Sequence, residues 1–210
     1  MLDHCMLKRI RPRIIIFACV VLTLAAALGM ASHLAVRQGG GGVATSGIGG
    51  PFSLQATDGT VVTEKSFAGQ LKLVLFGFTH CPDVCPTGLA SMSAALDQLG
   101  PKAKRVQALF ISVDPERDTP AVLRDYVSVF PGVIGLSGTA EAVAAAAQAY
   151  RVYVARVSPT GGPVAPGSTD YVVDHTALIY LMAGDGSYLG FFKPGTGADE
   201  MAAALKTHLD

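Results

Sequence analysis

The segment LKLVLFGFTHCPDVCPTGL, residues 71–89, constrains this chain more than any other. Its first eight residues are almost wholly apolar, so a strand here has no face to offer water and needs cover on both sides. A helix follows at once. Leu89, Met92, Ala95, Leu96 and Leu99 recur at helical spacing from Pro86 until Gly100-Pro101 stops the pattern. A buried strand running straight into a helix is the first half of a βα unit, and the rest of the chain continues in kind. Residues 52–63 read as a hairpin turning at Asp58-Gly59, and 106–113 as a second buried strand. Thr119-Pro120 starts a helix to Phe130, with Thr as cap and Pro at the first helical position. A short extended piece at 133–136, an alanine-rich helix capped by Thr139 and ending near Tyr150, and strands at 152–157 and 176–182 come next. Asp185-Gly186 turns the last of these into 188–192, and a final helix covers 198–208. The expected fold is a three-layer α/β sandwich with a mixed central sheet. The loop at 158–170 is long for a compact domain, a length that more often serves function than connection.

The charge is distributed unevenly. Sixteen Lys and Arg balance sixteen Asp and Glu over 210 residues, so no basic field invites nucleic acid. Yet the first fifty residues hold five basic side chains (Lys8, Arg9, Arg11, Arg13, Arg37) against Asp3 alone. Between them, residues 14–31 read IIIFACVVLTLAAALGMA, uncharged and apolar on every side. At about 1.5 Å rise per residue such a helix is about 27 Å long, near the hydrocarbon thickness of a bilayer. The flanking charges put the N-terminus in the cytoplasm and all that follows on the far side. The expected division is a basic cytoplasmic tail at 1–13, a transmembrane anchor at 14–36, a Gly-rich linker at 37–50 and a folded domain at 51–210. A cleaved signal peptide ending near Ala31 is the competing reading. Either one exports the domain, and an uncleaved anchor leaves it on the outer face of the inner membrane. Cys5 and Cys19 lie before and within the apolar run and read as incidental.

The exported part has two cysteines, Cys81 and Cys85, together at the strand-to-helix junction. The free N–H groups of a helix start favour thiolate over thiol, and four-residue spacing lets both sulfurs meet one point or form a disulfide. A structural bridge is the plain alternative, although closing so short a loop stabilises little. Asp174-His175 precedes a buried strand 90 residues further on. Two thiolates and an imidazole make a three-donor set that suits Cu(I) better than a closed four-ligand zinc site. Asp174 is positioned to orient a ligand from behind.

Three motifs in order, CPDVCP (81–86), VDPERDTP (113–120) and YVVDHT (171–176), resemble the SCO/SenC family of copper chaperones for cytochrome c oxidase assembly. VIGLSGT at 133–139 and RVYV at 151–154 also fall where that family has similar text, so the resemblance covers 51–209. It implies a thioredoxin-like fold, an N-terminal membrane anchor, copper as Cu(I), Cu(II) or both, and the ligands Cys81, Cys85 and His175. It also implies that Asp174-His175 stand where thioredoxins carry a cis-proline. The partners implied are the copper-bearing oxidase subunit and a further copper donor or thiol reductase.

The remaining candidates read more plainly. His80 borders the site, Asp83 sits inside the cysteine loop, and Asp114, Glu116, Arg117 and Asp118 form a charged turn read as loop geometry and capping. His4, His33 and His208 are terminal or juxtamembrane, and scattered methionines form no copper box. The competing function is a thiol-disulfide oxidoreductase that reduces partner cysteines, or a copper or redox sensor. The spacing CxxxC, where thioredoxin-type catalysts use CxxC, favours metal. A peroxiredoxin pattern is absent, since Val74 and Phe78 stand where it needs Pro and Thr before Cys81.

Overall fold

The structure is a computed structural model that describes residues 47–165 and 168–210. The expected tail, anchor and most of the linker, with Cys5, Cys19, His4 and His33, lie outside the described residues. Among the described residues no helix is long and apolar enough to cross a membrane.

Among the described residues, nine strands and four α-helices follow in the order β1 (Ser53–Ala56), β2 (Val61–Thr63), β3 (Leu71–Gly77), α1 (Val84–Leu99), β4 (Val106–Ser112), α2 (Pro120–Val127), β5 (Val133–Ser137), α3 (Ala140–Ala149), β6 (Val154–Val157), β7 (Val172–His175), β8 (Ile179–Met182), β9 (Tyr188–Phe192) and α4 (Ala198–Leu209). A 3₁₀ turn at Gly100–Arg105 links α1 to β4. Seven strands form one mixed sheet in the order β2-β1-β5-β4-β3-β8-β9, while β6 and β7 pair only with each other. β3 and β4 run parallel in register from Leu71↔Val106 to Gly77↔Ser112, and β5 continues the parallel set. β8 joins β3 antiparallel.

The central strand behaves as its sequence demands. Every residue of β3 is buried, including Lys72, whose Nζ donates to the Gln70 carbonyl at 3.1 Å. Burial pulls the Lys72 ammonium below its usual range, and Asp185 works against that pull. Phe76, Phe110, Leu73, Leu75, Leu109 and Ile111 form the middle of the core. Leu89, Met92 and Leu96 of α1 and Met201 and Leu205 of α4 belong to the same cluster. A fully buried Leu or Phe contributes about 1.5–3 kcal/mol by leaving water, so this cluster is the main stabilising mass of the domain.

Several expected ends shift, since α2 stops at Val127 rather than Phe130, β6 begins at Val154 rather than 152 and β8 at Ile179 rather than 176, and three further departures follow. The helix after the cysteines starts at Val84, two residues earlier than Pro86. Residues 172–175, for which no element was expected, form a strand, β7, that His175 closes. The end of the expected linker belongs to the folded unit: Gly49 N–H donates to the Ala149 carbonyl at 2.9 Å, Arg151 Nε donates to the Gly47 carbonyl at 3.0 Å, and Ile48 packs on the core. Two backbone anchors and one apolar side chain suffice to dock a Gly-rich strand of chain.

Candidate metal centre

β3 ends at Gly77, and the six residues before Val84 make the loop that carries Cys81. Cys81 N–H donates to the Phe78 carbonyl at 3.2 Å, a turn that brings the chain back over the end of the sheet. Cys85 lies in the first turn of α1 with Pro86 beside it, where the missing proline N–H is no loss. Both cysteines are free thiols and both are buried, Cys81 at 7 % exposure and Cys85 at 0 %.

Gly77 makes room for the second sulfur. A Cβ at Gly77 would lie 2.6 Å from Cys85 Sγ and 2.6 Å from Phe110 Cε2, so only a residue without a side chain fits. A glycine ending a buried strand often marks such a close approach. That signal stood in the sequence and was not used.

His175 enters from the separate hairpin. It closes β7, paired with Val154 of β6, and its Nε2 lies 3.8 Å from Cys85 Sγ. Its Nδ1 donates to the Val173 carbonyl at 3.3 Å, which leaves the Nε2 lone pair facing the sulfur. The Phe78 ring stands edge-on to the imidazole, with centroids 5.6 Å apart at 82°. The role of orienting the ring therefore falls to a backbone carbonyl. Asp174 is exposed on the other side of the strand and reaches the imidazole only through its charge.

Burial governs the electrostatics. It pushes the Cys85 thiol well above its ordinary range, helped by Cys81 and the Asp118 carboxylate and opposed by the Phe78 backbone N–H. The expectation that a helix start would make this cysteine a thiolate is thus reversed, because the sulfur is desolvated more strongly than the helix end can offset. The same burial pulls the His175 imidazole below its usual value, against the Val173 carbonyl and Asp174.

The donor chemistry is that of a soft-metal site. With metal–sulfur and metal–nitrogen bonds of about 2.3 and 2.0 Å, two ligands about 120° apart are separated by about 3.7 Å. The Cys85–His175 distance matches that edge. Among the described residues no three His, Cys, Asp or Glu side chains are gathered closely enough to hold a metal ion.

The other candidates lie apart from this edge. His80 is half exposed, with Nδ1 3.1 Å from Thr79 Oγ1 and 3.9 Å from Asp118. Asp83 is exposed and accepts from Thr87 Oγ1 at 3.4 Å. Met92, Met182 and Met201 are core residues, and His208 is exposed on α4. The long loop after β6 contributes none of the three donors.

The family model for SCO1/SenC matches residues 42–210. The chain is 44% identical over 165 residues to the mitochondrial SCO1 homolog of Homo sapiens, covering 77% of this chain and 53% of that protein. It is 36% identical over 196 residues to SenC of Rhodobacter capsulatus, covering 91% and 86%. Among solved structures it resembles copper-bound ScoI of Bradyrhizobium japonicum, at 47% identity and a TM-score of 0.68, covering 77% of this chain and 99% of that one. The chain spans about half the length of several mitochondrial relatives that it matches. With ScoI it shares the thioredoxin-like α/β fold and its mixed sheet.

Proposed function

The chain belongs to the SCO1/SenC family, and from that premise we propose that it is a membrane-tethered copper chaperone. It takes up copper through Cys81, Cys85 and His175 and passes it to the copper-bearing subunit of cytochrome c oxidase during assembly. The observation that carries this reading is the pairing of Cys85 Sγ with the free Nε2 of His175 at 3.8 Å, beside a second free thiol. A solved relative carries copper on the same fold.

Copper is the cargo, so the protein's task is to hold and release it. The Val173 carbonyl keeps the imidazole in the tautomer that donates from Nε2. Gly77 and Phe78 hold the Cys85 sulfur and the imidazole in a dry wall, where soft donors meet little competition from water. Cys81, the third donor, lies on the loop between β3 and α1. Loading displaces the Cys85 proton, and release to an acceptor exchanges these donors for the acceptor's own.

The alternative is a thiol-disulfide oxidoreductase, favoured by two adjoining free thiols. The spacing CxxxC, where thioredoxin-type catalysts use CxxC, favours the copper reading. Anaerobic titration of the reduced full chain with Cu(I) separates the two. One equivalent bound, with thiolate-to-copper charge-transfer absorption, is expected. Binding should vanish when Cys81 and Cys85 are oxidised to a disulfide or replaced by Ser. Rapid disulfide turnover with no metal retained would establish the oxidoreductase instead.

The anchor read at 14–36 places the copper-binding domain on the outer side of the inner membrane, where a tethered carrier meets membrane-bound acceptors.

A further inference from the structure

The hairpin that carries His175 has no ladder to the main sheet. β6 and β7 pair only with each other, whereas β3, which leads to the cysteines, is hydrogen-bonded on both sides. Only the three residues between His175 and β8 tie the hairpin to that sheet by backbone, so the spacing between thiols and imidazole also depends on side chains, and the turn after β4 supplies them.

Asp114 and Asp118 are buried, at 0 % and 1 % exposure. A buried carboxylate is unfavourable unless its oxygens are bonded, and both are. Asp118 accepts from Ser112 Oγ at 2.6 Å, Thr79 Oγ1 at 2.6 Å and Thr79 N–H at 3.1 Å. Thr79 lies two residues before Cys81. Asp114 accepts from the Tyr171 hydroxyl at 2.7 Å and from Arg117 Nε, with Arg156 Nη2 3.6 Å away. Arg117 Nη1 donates to the Tyr171 carbonyl at 2.9 Å, and its guanidinium lies 3.8 Å from the Tyr171 ring centroid. Tyr171 immediately precedes β7. Ser112 closes the gap, accepting from Asp114 N–H at 3.1 Å while donating to Asp118. A continuous chain thus runs from Thr79 through Asp118, Ser112 and Asp114 to Tyr171. One end holds the cysteine loop and the other holds the histidine strand.

We infer that Asp114, Asp118 and Tyr171 are positioning residues: together they fix the separation of the cysteine loop from His175 and so set the donor spacing. The inference rests on the reading of Cys81, Cys85 and His175 as a copper site, and it turns a segment expected to be mere loop geometry into the frame of that site.

The test uses Tyr171→Phe, which removes one hydroxyl and keeps the ring against Arg117, and Asp114→Asn, which keeps the shape of the carboxylate. Each is made in the full chain, alone and with His175→Ala. Cu(I) affinity is read by competition with a chromophoric chelator. Loss of a partner behind a ligand lowers affinity about 10- to 100-fold. That loss is expected for Tyr171→Phe in the otherwise unchanged chain and should disappear in the His175→Ala background, where no imidazole remains to be positioned. A folded Tyr171→Phe protein with unchanged affinity would overturn the inference, as would the same fractional loss with and without His175. A second measurement needs no copper. Cys85 alkylation by iodoacetamide in the reduced, metal-free chain, normalised to Cys81 by peptide mass spectrometry, should accelerate in Tyr171→Phe as the hairpin loosens, and an unchanged ratio would count against the clamp. If the unsubstituted chain takes up no Cu(I), the copper reading fails, while faster Cys85 alkylation in the variant still supports the clamp.

Discussion

At Cys85 burial and metal binding pull in opposite directions. The metal-free domain keeps this thiol protonated because its charge would be stranded in the core. On the proposed reading a copper ion bound by Cys85 displaces that proton, so affinity should rise with pH by about tenfold per unit for each proton released. A Cu(I) competition series from pH 6 to 8, values on the order of the usual working range, checks the slope, and a flat profile would remove Cys85 from the ligand set. His175 adds a stability effect of definite sign. Its folded pKa lies below the ordinary imidazole value, so the unfolded chain takes up the proton first. Metal-free stability is then full above about pH 6.5 and declines as pH falls from there toward the folded value. His175→Ala should flatten that decline in acid melts. It should also lower copper affinity by about 10- to 100-fold or more while the cysteines still form a disulfide. A core histidine would show the reverse, with a lower melting temperature and unchanged affinity.

The elements divide cleanly between those that build the frame and those that touch the site. Thr139 caps α3, its side chain accepting from Ala142 N–H at 3.2 Å. Thr139→Ala should cost about 1 kcal/mol in denaturant unfolding and leave copper affinity unchanged. Gly77 ends β3 against a sulfur, so Gly77→Ala should both overpack the core, by about 1–3 kcal/mol, and weaken copper binding. Gly190→Ala, on β9 with nothing within 4 Å of the added Cβ, is the matched control and should do neither. Melting curves and chelator competition on the three variants test this division. The same contrast explains what the sequence disclosed. β3, β4 and the helices were legible because their apolar spacing, caps and turns are local. β7 was missed because four residues with one deeply buried side chain, Val173, carry no pattern of their own without β6. The two cysteines and His175 were singled out by residue type and by the family resemblance. The clamp was not, since Asp114 and Asp118 look like loop charges until Thr79 and Tyr171, 39 and 57 residues away, come to bond them. Composition also misjudged the end of the linker, where glycines dock through backbone groups that a count of side chains ignores.

The whole chain carries its charge in two opposed parts, and that arrangement makes a topological prediction. The first fifty residues have an excess of four positive charges, and the remaining 160 an excess of four negative ones. Basic residues clustered before an apolar run are retained on the cytoplasmic side, so the proposed topology has the domain at 51–210 outward. The run at 14–31 is longer than the apolar core of an ordinary cleaved signal, about 7–15 residues, and long enough to span. Protease added to intact spheroplasts should therefore remove the domain while a membrane-embedded N-terminal fragment persists, and the domain of untreated cells should sediment with membranes. A soluble form beginning near Ser32 would show that the segment is cleaved. Protection of the domain until the membrane is lysed would reverse the orientation. The proposed outward topology also bears on the site itself, because an oxidising compartment would drive Cys81 and Cys85 toward a disulfide. A carrier that needs both thiols free must then be kept reduced there. Blocking thiol reduction outside the membrane should accumulate the oxidised form, readable by thiol labelling, and lower copper occupancy in step with it.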